Sequence, residues 1–346
     1  ALRAPLVSRM GVGCSQASCA SQNCCRQREP LTSDRGRRLS HGSTELPGTY
    51  SPADAAIENG DASVEAHSLY DADTVESKYL GLGEDTDTRP PTYFDREIPE
   101  LGEIKQVEGS TKMGARPAYT FRSGSVYTGQ WRGSARHGFG IQTWMDGACY
   151  EGEWWENQAQ GKGRFSHSDG DTYVGEWRGN VAHGIGMYLR QASTTMYEGS
   201  WDNDQQQGYG VETSSDGSRY EGSFVRSRKV GYGVYFWSDG SEFRGCWEAN
   251  AIRGEGMYVG SDGRCFKGRW KDSAMHGIGK YVWQDGRQYS GQYKHDSKDG
   301  FGVFVWPNGR VYTGFWSNGK QHGRGVLTVE GNSMHGVWDT GKCISG

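Results

Sequence analysis

Four histidines recur at one position of a periodic sequence: His137, His183, His276 and His322. Imidazole ligates metals and moves protons near neutral pH, so the spacing decides whether these four can act together. Their separations are 46, 93 and 46 residues. If each 23-residue unit is a hairpin of two strands, neighbouring histidines lie roughly 19 Å or more apart, too far to share a metal. Gln160, Gln207, Val230, Arg253 and Asp299 fill the same slot elsewhere, so the position reads as loop-shaping. The eight cysteines form no C-x-x-C pair, and Cys149, Cys246 and Cys265 stand singly beside aromatic residues, as reduced thiols do. The Gly-x-Gly pairs, such as Gly138/Gly140 and Gly323/Gly325, lack the third glycine and the strand-to-helix setting of a dinucleotide loop. No nucleophile-elbow, zincin or kinase motif set occurs. The expectation is a chain that is not an enzyme, with no metal and no cofactor.

A second kind of chemistry is written near the N-terminus. Met10-Gly11-Val12-Gly13-Cys14-Ser15 fits the N-myristoylation pattern, with Gly11 as acceptor if Met10 is the start. Cys14, Cys19, Cys24 and Cys25 follow as palmitoylation candidates, and Arg26, Arg28, Arg35, Arg37 and Arg38 as contacts for an anionic membrane. One myristoyl chain binds membranes only marginally, so acylated cysteines or a basic cluster are needed as a second signal. Arg37-Arg38-Leu39-Ser40 has the pattern of a basophilic kinase site, and phosphate on Ser40 would offset the basic cluster.

The elements that position these groups follow from composition. The chain has 346 residues with 54 Gly, 13 Trp and 34% hydrophobic residues. Burial must therefore rest on rings more than on aliphatic side chains. All 13 Trp lie between Trp131 and Trp338. Residues 1–41 carry +5, residues 42–116 carry −10 and residues 117–346 carry +1. Residues 1–41 read as a basic cysteine-containing tail and 42–116 as an acidic, largely disordered linker, with short exceptions such as Tyr93-Phe94. The balanced charge of 117–346 gives no field to hold nucleic acid. No run of about eighteen apolar residues occurs.

Residues 117–346 repeat with a period of 23. The first aromatic of each unit is Tyr127, Tyr150, Tyr173, Tyr197, Tyr220, Phe243, Phe266, Tyr289 and Tyr312, with one step of 24. Gly follows two residues on, and two further on come Trp131, Trp154, Trp177, Trp201, Phe224, Trp247, Trp270, Tyr293 and Trp316. Each unit then has a Gly-x-Gly, and most close with Asp-Gly or Asn-Gly.

Alternation with period two puts Tyr, Gly and Trp on one face of a strand, and the Gly leaves a gap that a ring from a neighbouring strand can cover. The next six or so residues, to the Gly-x-Gly, read as a loop. The segment after it, such as 141–145 or 303–307, reads as a second strand whose aromatic (Trp144, Phe165, Trp237, Trp283, Trp306) joins the same ring layer. Asp-Gly then turns the chain into the next unit. The fold class is all-β: an elongated single-layer antiparallel ribbon of about nine to ten serial β-hairpins after a largely disordered N-terminal region.

Tyr127-Thr128-Gly129-Gln130-Trp131 with His137-Gly138-Phe139-Gly140, and its eight successors, resemble the MORN repeat (membrane occupation and recognition nexus). Met334-His335-Gly336-Val337-Trp338 looks like a truncated tenth unit, and residues 117–124 like the second half of a degenerate leading one. In the fifth unit Phe224 replaces Trp and Lys229-Val230 replaces the usual polar-His pair, a departure that bears on the shape of its loop.

The resemblance implies a non-catalytic scaffold whose partners are proteins of the membrane cortex or cytoskeleton. It implies a cytoplasmic, membrane- or cytoskeleton-associated location, the cilium included. Lipid contact is expected through the N-terminal segment, with no nucleic acid, and homodimerisation is expected through the C-terminal units, whose sheet edge is open. Two alternatives carry the same resemblance. One is the regulatory MORN region of a phosphatidylinositol-phosphate kinase-like enzyme whose catalytic domain lies outside this sequence. The other is a ciliary radial-spoke-like component.

Overall fold

The structure, a computed structural model, describes residues 92–104 and 113–346. Apart from a 3-10 turn at Tyr93–Asp95 and a short helix α1 at Ile98–Glu103, its regular structure is strand. Twenty-one strands form an open antiparallel sheet. The described residues fall into two compact bodies, one reaching to His276 and one beginning at Gly277, and each is described by itself.

The first body sets the pattern with β1 (Gly114–Thr120), β2 (Val126–Arg132), β3 (Ala135–Thr143) and β4 (Cys149–Trp155). β1 pairs with β2, β2 with β3 and β3 with β4, all antiparallel. The six-residue loop expected after each Trp is absent. Between β2 and β3 only Gly133 and Ser134 turn the chain, and β3 already begins at Ala135. The later two-residue turns Glu156-Asn157, Asn203-Asp204 and Ala249-Asn250 have φ of 46° and 70°, 49° and 63°, and 47° and 71°. Two consecutive positive φ values make a turn whose twist matches that of the flanking strands. The supposed loop is therefore strand, and its extra residues form a bulge. Gly129 pairs with Gly140 and Trp131 with Arg136, leaving His137, Gly138 and Phe139 opposite Gln130. The fifth unit keeps this design, with Arg226 and Ser227 at φ of 49° and 58°.

The turn between units closes in three residues. Gly147 N–H donates to the Trp144 carbonyl at 3.0 Å, and Trp144 N–H to the Ala148 carbonyl at 2.9 Å. The 24-residue step has a longer connection, from Arg190 to Thr195, with Thr194 at φ 50°.

Consecutive hairpins are also stitched at their turns. Asn157 N–H donates to the Arg136 carbonyl at 3.0 Å, while Asn157 Oδ1 accepts Arg136 N–H at 2.7 Å. Asn180 bonds Ala159 in the same two ways, and Asp204 bonds Ala182.

The second body repeats the register, with Gly291 opposite Gly302 and Gly314 opposite Gly325. Strand Asn332–Asp339 carries the tenth unit: Met334 pairs with Leu327, and Trp338 is buried.

Candidate segment-binding face

The paired glycines explain how rings fill one face. A Cβ on Gly129 would come within 2.5 Å of the Gly140 Cα, and one on Gly140 would fall inside the Tyr127 ring. Tyr127 thus lies across a window without side chains, and Trp154 of the next hairpin caps it edge-on at 5.5 Å and 86°. The pattern continues at Tyr150–Trp177, Tyr173–Trp201, Tyr197–Phe224 and Tyr220–Trp247, all between 5.0 and 5.2 Å.

The aromatics of the Tyr-x-Gly-x-Trp row are buried: Tyr127, Trp131, Tyr150, Trp154, Tyr173, Trp177, Tyr197, Trp201, Tyr220, Phe243, Trp247, Phe266 and Trp270 in the first body, and Tyr289, Tyr312 and Trp316 in the second. Several of their polar atoms bond the backbone of the sheet. Tyr127 Oη donates to the Gln130 carbonyl at 2.8 Å, and Trp154 Nε1 to the Gly140 carbonyl at 3.1 Å. Burial pushes these phenols up, Tyr312 to about 12, which keeps them neutral at ordinary pH.

The second row of rings behaves differently along the chain. Trp144 and Phe165 are buried, whereas Trp237, Trp283 and Trp306 are only half-buried. The difference is a segment of the chain itself. Residues 92–104, within the stretch read as acidic linker, lie on the rings of the first units. Phe94 sits among Trp144, Tyr150, Trp154, Phe165 and Trp177, its centroid 5.3 to 5.9 Å from each of theirs. Tyr93 packs on Trp144 at 5.2 Å and donates to Asp146 at 2.8 Å, and Arg96 pairs with Asp146 at 3.7 Å. Glu100 accepts from Tyr119 Oη at 2.9 Å and from Arg122 N–H at 2.7 Å.

Two buried side chains of opposite charge complete the seat. Glu97, 1% exposed, accepts from Ser125 Oγ at 2.8 Å and from Trp144 Nε1 at 3.4 Å. Arg136 is fully buried, with its guanidinium 4.2 Å over Trp154. It donates to Gln142 Oε1 at 3.0 Å and to the Asn157 carbonyl at 2.9 Å. Burial lowers its pKa to about 10, and the Glu97 carboxylate opposes that shift. The Gln142 and Asn157 acceptors and the nearby Glu97 charge together offset the cost of burying this cation, so the docked segment adds to its stability. Sequence reading missed this seat. Its one signal was an aromatic pair, Tyr93-Phe94, in a stretch with few rings.

The histidines pair singly. His183 Nδ1 lies 3.3 Å from Asp202 and His322 Nδ1 3.3 Å from Asp339. Among the described residues no three His, Cys, Asp or Glu side chains gather as a metal site, and no helix is long and apolar enough to cross a membrane. Gly11, the four N-terminal cysteines, Arg26 to Arg38 and Ser40 lie outside the described residues.

The MORN-repeat family model matches nine stretches in succession: 127–149, 150–172, 173–192, 197–219, 220–242, 243–263, 266–286, 289–309 and 312–332. The chain belongs to the MORN-repeat family. Each match opens on the tyrosine or phenylalanine that covers a glycine pair, so the MORN unit is the two-strand unit described above. Among solved structures the chain is similar to the wild-type TCP10 domain of Danio rerio CPAP in complex with a peptide of Danio rerio STIL. That match is 13% identical, covers 66% of this chain and 100% of the other, and has a TM-score of 0.35. It is also similar to the TCP domain of Drosophila melanogaster SAS-4 in complex with a proline-rich motif of Ana2, at 12% identity, 57% and 87% coverage and a TM-score of 0.26. No curated protein matches. The docked segment covers rings of MORN units 1 to 3, from Trp144 to Trp177.

Proposed function

We propose that this MORN protein is a non-catalytic scaffold that holds short protein segments on its ring face. We further propose that its N-terminal basic segment carries it to a membrane or to the cytoskeletal cortex beneath one. One observation supports the first part: the ring face already holds a segment, residues 92–104, through an aromatic anchor and a buried carboxylate. A surface that buries one short sequence in this way has the means to bury others, with aromatic anchors supplying most of the energy. Catalysis has no comparable support, because the hydroxyls and indole N–H groups of the glycine-covering rings and their caps that have partners, such as Tyr127 and Trp154, spend them on the backbone.

Membrane contact is assigned to Gly11, the cysteines from Cys14 to Cys25 and the arginines from Arg26 to Arg38, where acylation and positive charge coincide. The repeats, with a balance of +1, lack that attraction.

Two experiments test the two parts. In the full chain carrying Phe94→Asp the native segment should be released, and a fluorescent peptide of residues 92–104 should then bind in trans with micromolar affinity. Absence of saturable binding in a folded variant would refute segment binding. Imaging of the tagged chain with and without Gly11→Ala should show loss of membrane or cortical signal, and an unchanged distribution would refute the anchor.

A further inference from the structure

The seat occupied by residues 92–104 recurs seven units later, in the second body. Lys298 takes the place of Arg136, with its ammonium 4.9 Å over Trp316, 5.4 Å over Trp283 and 5.8 Å over Tyr289. The Arg136 guanidinium stands 4.2 Å over Trp154, 5.8 Å over Phe121 and 6.0 Å over Tyr127, the residues at the same unit positions. The set of rings around Phe94 recurs as well. Trp144, Tyr150, Trp154 and Phe165 are matched by Trp306, Tyr312, Trp316 and Leu327. Trp177, which pairs with Gly161, is matched by Trp338, which pairs with Gly323. Trp338 packs on Tyr312 at 5.0 Å, as Trp177 does on Tyr150 at 5.2 Å. No described segment covers this copy, and Trp306 is half-buried where Trp144 is buried.

The polar residues around the second seat differ in one direction. Arg287 stands where Ser125 is, Arg310 where Ala148 is, and Asn308 where Asp146 is. Asp285, in place of Ser123, pairs with Arg287 at 2.6 Å and offsets one of these changes. Phe304 replaces Gln142, so the acceptor that holds Arg136 has no counterpart at Lys298. Arg310 Nε is buried with no hydrogen-bond partner among the described residues. The first seat obtains its carboxylate from the docked segment, and the second keeps the cation without one.

We propose that the ring face around Lys298 and Trp306 binds a short segment of another protein: a phenylalanine followed three residues later by a carboxylate, with a further acid where this chain has Arg96. This rests on the segment-binding reading above and names the partner's chemistry. The phenylalanine packs against Trp306 and Leu327, which are half-buried over Tyr312, Trp316 and Trp338. The carboxylate lies within electrostatic reach of Lys298, as Glu97 does of Arg136, and the added acid meets Arg310 and Arg287. The chain's own segment fits less well. At this seat Arg96 would face Asn308 and two arginines instead of Asp146, which disfavours a second copy as occupant.

The test uses the full chain, whose first seat is filled, and two labelled peptides of residues 92–104: the native sequence and an Arg96→Glu form. The Arg96→Glu peptide should bind at one site in the micromolar range and lose roughly tenfold or more on Lys298→Glu. It should lose a similar factor on Lys298→Met, an apolar change of similar length that spares the packing. A Phe94→Ala change in the peptide should abolish binding. No saturable binding to the full chain, or binding indifferent to both Lys298 variants, overturns the proposal. Equal or tighter binding of the native peptide also overturns it, by making a second copy the occupant. Failure of segment binding itself is recognised separately, because the native peptide would then not bind the Phe94→Asp chain either.

Discussion

The phenol ring of Tyr127 lies across the Cα of Gly140, on the neighbouring strand, with no room between them for a methyl group. Gly140→Ala should therefore destabilise the first body by about 1–3 kcal/mol through overpacking. Gly147→Ala is the comparison. Its Cβ meets open space, but φ is 91°, so its cost should be near 1 kcal/mol and of backbone origin. Denaturant midpoints with hydrogen exchange at Tyr127 and Trp154 would separate the two. Exchange around Tyr127 unaltered by Gly140→Ala would contradict the account.

Phe94 touches five rings from three consecutive units and is buried among them. Phe94→Ala should release the segment. The loss is at most about 3–5 kcal/mol, the usual cost of emptying a buried Phe site. It is further limited to the docking energy, because the sheet keeps its own hydrogen bonds. Indole emission should shift to the red as Trp144 meets water, and residues 92–104 should exchange quickly while the Tyr127–Trp154 contact persists. Unchanged emission and exchange would count against this.

Asn180 serves two needs: it holds φ 69°, and its Oδ1 accepts Ala159 N–H at 2.7 Å. Asn180→Gly keeps the conformation and loses the bond, so it should cost about 1 kcal/mol. Asn180→Val loses both and strains a β-branched residue, for roughly 2 kcal/mol or more. Thermal denaturation that ranks Val no worse than Gly would refute this order.

The repeat was legible because the Tyr–Gly–Trp alternation has a short period, and every unit restates the same packing problem. The turns were not. Glu156-Asn157 and Arg226-Ser227 share no motif, and their left-handed backbone is set by the twist of the strands they join. The rings of the binding face were legible for the same reason as the repeat. The seat was not, because Phe94 and Glu97 meet residues dozens of positions away, and composition carries no record of such contacts. Lys298 was equally hidden. Its slot holds Arg136, Lys229 or uncharged residues such as Ala159 and Ile252 elsewhere, and only the geometry shows a cation within reach of four rings.

Lys298 also makes stability depend on pH in a defined window. Burial, and then the charge of Arg287, lower its pKa to about 8 from an ordinary 10.5. Between these values the unfolded chain binds a proton that the folded chain has released, so this group makes stability rise with pH there and contributes no slope below about 7. The rise is limited to about 1.4 kcal/mol per pH unit. The buried phenols act oppositely near pH 10 and above, since unfolding lets them ionise, and Tyr312 is held up to about 12. The clean window is therefore about pH 8 to 9.5. Across it the difference in unfolding free energy between the native chain and Lys298→Met should move by roughly 1–2 kcal/mol in favour of the native chain. Parallel pH profiles would show that Lys298 keeps its proton in the folded state and that its ring cage does not exclude water.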